Sequence, residues 1–222
     1  MNLSEHIAGL LAAHAPEDIE RRSFAVIDAE VPEPRPFSGP EWAIARRLVH
    51  TTADFDLLNH LKFSPGAVRA GLTALRQGAA VFTDTAMAEA GIPMRRMAPL
   101  GCSVICMLRL PGVGDAAKAR GITRSLAAID AAGERLHGSV VAIGNAPTAL
   151  LGLLALMEKR SDIRPALVVG MPVGFVNAME SKDLLQKYDI PSILLQGRKG
   201  GSPLAAATVN ALADLALQGD AF

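Results

Sequence analysis

Five histidines and three glycine-lined turns hold most of the residues in this chain that could do chemistry. The histidines are His6, His14, His50, His60 and His137. No pair stands at helical spacing with a partnering carboxylate, so no metal site is expected. His50 has a setting the others lack. It closes an amphipathic helix, follows Leu48-Val49, precedes Thr51-Thr52 and lies four residues after Arg46. Imidazole is the side chain best suited to give or take a proton near neutrality. On residue type alone, a helix-capping or core-rim histidine is the commoner occupant of such a place. The turns are Gly144-Asn145-Ala146-Pro147-Thr148, Gly170-Met171-Pro172-Val173-Gly174-Phe175 and Gly197-Arg198-Lys199-Gly200-Gly201-Ser202-Pro203. Glycine lets backbone approach a ligand closely, and a following helix directs free N–H groups at it. Asn145 and Ser202 are also candidates for helix N-caps. A tight strand-to-helix turn explains any one of these loops; three of them, with Lys182, Arg198 and Lys199 close in sequence, point to an anion-binding face.

The elements that must carry these residues fall into two parts. Up to about residue 78 the pattern is helical. One helix spans 16–30 and ends at the proline-rich 31–36 stretch. A second opens at Pro40-Glu41 and reaches His50. A third starts at Ser64-Pro65-Gly66, with Ser64 as cap, and stops at Gly78. Beyond residue 79, short runs rich in Val, Ile and Leu recur at 80–83, 103–108, 139–143, 166–169 and 192–196. Helical patterns at 123–134, 146–159, 177–187 and 202–218 separate or follow them. Strands apolar on both faces and alternating with helices predict a parallel sheet covered on both sides. The expected fold is a three-layer α/β/α domain of 1–222: a helical part, 1–78, packed on a doubly wound, flavodoxin-like sheet of five parallel strands in 79–222. A ligand then belongs beyond the carboxyl ends of the strands.

Composition narrows the chemistry. The 22 basic and 22 acidic residues cancel, so no global field draws in nucleic acid or an anionic membrane. The apolar half of 1–13 is interrupted by Glu5 and His6 and lacks a basic leader, which argues against a signal peptide. The longest apolar run, 149–157, is far short of the roughly 20 residues that cross a bilayer. Cys102 and Cys106, four apart in an apolar stretch, read as buried free thiols suited to a reducing cytoplasm. No turn carries a phosphate-binding fingerprint: Gly-x-x-x-x-Gly-Lys followed by Ser or Thr is absent, and Gly112-x-Gly114 lacks a third glycine. Nicotinamide and ATP chemistry are disfavoured, and no cofactor is expected.

Several stretches together are specific. These are Val140–Leu150 with Gly144-Asn145-Ala146-Pro147-Thr148, Gly170–Val176 followed by Glu180-Ser181-Lys182-Asp183, and Gly197-Arg198-Lys199-Gly200-Gly201-Ser202. Arg22-Ser23-Phe24, Leu48-Val49-His50, Phe63-Ser64-Pro65-Gly66, Asp84 and Thr123-Arg124-Ser125 join them in order and spacing. From about residue 16 to 217 the chain resembles the precorrin-8X methylmutase family, also called cobalt-precorrin-8 methylmutases. The resemblance implies an isomerase of cobalamin biosynthesis that moves a methyl group from C-11 to C-12 of a corrin-type ring. It also implies a homodimer with active sites near the subunit interface, and His50 as the acid that donates to the ring. Arg124 is then a candidate to bind a substrate carboxylate in bidentate fashion, with Lys182, Arg198 and Lys199 as further cations. Ser23, Asn145 and Ser202 are candidate hydrogen-bond partners. A corrinoid carrier without catalysis is the alternative that the same residues allow.

Overall fold

The computed structural model describes residues 3–12 and 15–219; His14 and the two extreme ends of the expected 1–222 domain lie outside them. The helical first part supplies α1 (Leu3–Ala12), α2 (Pro16–Glu30), α3 (Gly39–Thr52) and the single turn α4 (Leu57–His60). Proline within the first turn of α2 and of α3 suits a position where no intrahelical donor is needed. α3 ends at Ala53, which takes a left-handed conformation at φ 52°, so His50 sits in its last turn rather than at its final residue.

The first part is not wholly helical. β1 (Leu61–Phe63) follows α4 and precedes α5 (Ala67–Arg76). Ser64, expected to cap α5, instead serves the strand: its Oγ accepts from Ser192 N at 2.8 Å, while Gly66 stands at the cap position. The remaining strands are β2 (Val81–Thr83), β3 (Val104–Cys106), β4 (Val140–Ile143), β5 (Leu167–Gly170) and β6 (Ser192–Leu195). The remaining helices are α6 (Ala86–Ala90), α7 (Met94–Met97), α8 (Val113–Arg120), α9 (Arg124–Ala132), α10 (Pro147–Lys159), α11 (Ala178–Leu185) and α12 (Ser202–Leu217).

The sheet runs β1-β6-β5-β4-β2-β3, and all neighbours are parallel except β1. Six strands therefore replace the five expected. β1 pairs antiparallel with β6, Leu61 opposite Leu195 and Phe63 opposite Ile193, and closes that edge. Three residues give too short an apolar run to announce a strand; the pairing, 130 or more positions away in sequence, makes it one.

Alternate residues of each strand feed two separate cores. Val140, Ala142, Val169, Ile193 and Leu195 pack with α3, α5 and α12 on one side. Val141, Ile143, Val168 and Leu194 pack with α9 and α10 on the other. This is why the central strands are fully buried and read as continuous apolar runs. Among the described residues no helix is long and apolar enough to cross a membrane.

Candidate active site

The carboxyl ends of β4, β5 and β6 lie side by side, so the turns that follow them meet. Two glycines make this contact possible. A Cβ on Gly144 would stand 2.6 Å from the Cα of Ser202, and one on Gly200 would collide with the carbonyl of Met171. Gly201 N donates to Met171 O at 2.9 Å and Gly174 N to Arg198 O at 3.2 Å, binding the second turn to the third.

Asp84, at the end of β2, governs the first turn. Its carboxylate is 2% exposed and accepts from three successive backbone amides: Gly144 at 2.9 Å, Asn145 at 2.8 Å and Ala146 at 2.8 Å. Burial pushes its pKa upward, and the three N–H donors pull the other way. These donors precede α10, where an anionic ligand would ordinarily be met. The protein's own carboxylate occupies that place. The sequence showed Asp84 at a strand end; its acceptors, about 60 residues away, were not legible there.

Lys182, expected to meet substrate, is instead wholly buried. Its Nζ donates to Pro172 O at 3.1 Å and to Lys199 O at 2.8 Å, so the ammonium ties the second turn to the third. Burial lowers its pKa to about 8. Lys182→Met strands both carbonyls and is expected to cost about 2 kcal/mol at pH 7, read from denaturant unfolding. Between pH 8 and 10.5 the folded state has released a proton that the unfolded chain still holds, so stability rises with pH. The gap between wild type and variant should widen across that window and stay flat below it, because a neutral amine still has two hydrogens for two carbonyls. An equal gap at pH 7 and pH 10 would refute the burial argument.

Two further expected contacts are also engaged within the protein. Lys199 Nζ pairs with Asp54 at 2.6 Å and Asp56 at 2.8 Å, which raises its pKa and anchors the loop after α3 to the third turn. Ser202 is the first residue of α12, not its cap, which is Gly201. Its Oγ and Thr85 Oγ1 are hydrogen-bonded at 2.7 Å, with either hydroxyl able to donate. Asn145 does not cap either, since Ala146 holds the N-cap position of α10. Its side chain is exposed.

Arg124 opens α9 beside the first turn, because Thr123 Oγ1 donates to Thr148 Oγ1 on α10 at 3.2 Å. It is exposed and, among the described residues, makes no ion pair. Arg198 is exposed, with its guanidinium 5.5 Å from the centre of the Phe175 ring. Phe175 and Val176 are 84% and 78% exposed, which their residue types in a glycine-lined turn do not announce. Large apolar side chains left in water together mark a surface that something covers.

His50 lies half-buried on α3, four residues before Asp54. Its ring meets that of Phe24 on α2 edge to face, with centroids 5.3 Å apart and planes at 71°. Ser23, next to Phe24, returns its hydroxyl proton to Ile19 O at 2.9 Å and keeps its oxygen lone pairs. Ser23 is thus the chain neighbour of the residue whose ring meets His50, while Asn145 and Arg198 stand in turns at the carboxyl edge and Arg124 opens the helix beside the first of them. The ion pairs of Lys199 join the loop after α3 to that edge.

Residues 18–215 match the family model for precorrin-8X methylmutase. The chain belongs to the precorrin-8X methylmutase family. It is on that ground an isomerase of cobalamin biosynthesis. The cobalt-precorrin-8 methylmutase of Salmonella typhimurium is 45% identical over 202 residues, covering 89% of this chain and 94% of that protein. The precorrin-8X methylmutase of a Sinorhizobium species is 45% identical over 197 residues, covering 88% and 92%. A crystal structure of the precorrin-8x methyl mutase from Thermus thermophilus superposes with a TM-score of 0.83 at 42% identity, covering 91% of this chain and 98% of that one.

Proposed function

We propose that this protein moves a methyl group from C-11 to C-12 of precorrin-8X, or of its cobalt-containing counterpart, giving hydrogenobyrinic or cobyrinic acid. Relatives named for either substrate stand at 45% identity, so the proposal covers the macrocycle with or without metal. His50 donates a proton or a strong hydrogen bond to the ring. The conjugated system then draws electrons harder, and the methyl group migrates between adjacent carbons without any redox partner. The observation that carries this reading is a half-buried imidazole in a loop-anchored last turn of α3, in a chain whose family relation spans almost its whole length.

The substrate's peripheral carboxylates are the second handle. Arg124, Arg198 and Asn145 offer exposed donors for them, and Ser23 adds a hydroxyl on the helix whose Phe24 meets His50. Lys182, Lys199 and Ser202 act indirectly, by fixing the turns. Binding energy gathered at the ring's edge offsets the distortion of its centre. Arg124→Ala is expected to raise KM roughly 10-fold with little change in kcat, as loss of a charged contact made equally in ground and transition state does. Steady-state assays on the variant check it, and an unchanged KM would remove Arg124 from the site.

The wider setting follows the same reading: one domain, a location in the cytoplasm, and a homodimer whose interface lies near the site. The exposed Phe175 and Val176 support the dimer, since they give a subunit or a ring plane something to cover. The five parallel strands, taken without β1, follow the flavodoxin-like order, which supports binding at the carboxyl edge. The direct test is to mix purified protein with precorrin-8X or its cobalt form and follow the absorption spectrum. An unchanged spectrum, with the protein folded and the substrate intact, would end the proposal.

A further inference from the structure

α2 is an odd partner for a core. Among its described side chains only Ile27 is a buried hydrophobic, and the helix is held largely by charge. Arg47 pairs with Glu20 at 2.9 Å and, through its other nitrogen, with Asp214 of α12 at 3.0 Å. Arg46 pairs with Asp28 at 2.6 Å, and Trp42 Nε1 donates to the same carboxylate at 2.8 Å. These pairs do more than dock a helix. They place two guanidiniums over one ring: the Cζ of Arg46 lies 4.5 Å and that of Arg47 5.2 Å from the centre of Phe24. A cleft of about 650 Å³, lined by Glu20, Phe24, Arg46, Arg47, Arg96 and Asp214, opens beside that ring. Phe24 therefore has space to turn and is held by the cations attracted to its π face.

The same ring meets His50 edge to face. We infer that Phe24 is a positioning residue for His50: the arginine pair fixes the phenyl ring, and the phenyl ring selects the imidazole rotamer that faces substrate. A half-buried histidine in the last turn of a helix has more than one staggered rotamer open to it. An aromatic pair of ordinary strength is enough to favour one of them several-fold. The inference rests on the reading of His50 as the acid.

The experiment compares wild type, His50→Ala, Phe24→Leu and Phe24→Tyr, with kcat and KM measured by the change in the substrate's absorption spectrum. Phe24→Leu should lower kcat roughly 3- to 10-fold at constant KM, and Phe24→Tyr, which keeps the ring, should restore it. In spectra of histidine-labelled protein, the His50 ring signals, identified by their disappearance in His50→Ala, should lose their ring-current displacement in Phe24→Leu and keep it in Phe24→Tyr. Wild-type kcat in Phe24→Leu beside an inactive His50→Ala would overturn the brace and leave the acid standing. A raised KM with kcat intact would make Phe24 a substrate contact and overturn it too. So would equal losses in the leucine and tyrosine variants. Activity in His50→Ala itself would instead remove the reading underneath.

Discussion

Replacing His50 by alanine is expected to lower kcat by about 10²–10⁴-fold, the usual worth of a positioned general acid, while substrate still binds. The physical case is that the proposed migration breaks and forms carbon–carbon bonds in a ring that needs electron demand and nothing else. A proton, or its partial transfer, supplies that demand. Of the candidate site residues, His50 is the one imidazole, the side-chain type best suited to give or take a proton near neutrality. Lys182 is buried against two carbonyls, and Lys199 is neutralised by Asp54 and Asp56. The fold should survive, because the imidazole is only half-buried and meets the Phe24 ring edge to face rather than filling the core. Spectral titration with substrate, beside single-turnover kinetics, separates the two effects. Turnover at the wild-type rate would take the imidazole out of the reaction.

Asp84→Ala should have the largest effect on stability, a loss of about 2–4 kcal/mol. The carboxylate satisfies three adjacent amides in a site almost closed to water, and removing it leaves all three donors without an acceptor. The replacement methyl group bonds none of them. Activity should fall further than stability explains, because the turn so released carries Asn145 and abuts Ser202 through Gly144. The same variant should also acquire a use for small anions. With the side chain gone, the amides before α10 face an open space, and formate should restore part of the lost stability in a dose-dependent way. Denaturant unfolding with and without formate, against chloride at equal ionic strength, reads both effects. A midpoint equal to wild type would show that water satisfies those amides at no cost.

Much of this protein was legible in one dimension. The five parallel strands, the helices after them and the three glycine turns follow from local rules: short continuous apolar runs, helical periodicity, and proline or glycine at the ends. Each needs only neighbours a few positions away. The family resemblance likewise rests on short contiguous motifs, and it brought forward His50, which residue type alone would have left as a helix cap.

Tertiary structure decided what no local rule reaches. β1 exists because β6 offers it a ladder. Lys182, indistinguishable in sequence from a solvated cation, is buried because two carbonyls from separate turns converge on it. Asp84 is an internal anion because three amides come to meet it, and Phe24 meets His50 only because charge pins α2 to α3 and α12. The reason is common to all four. A side chain's type states what it can bond, whereas its partner is chosen by chain segments whose distance along the sequence carries no signal of their distance in space.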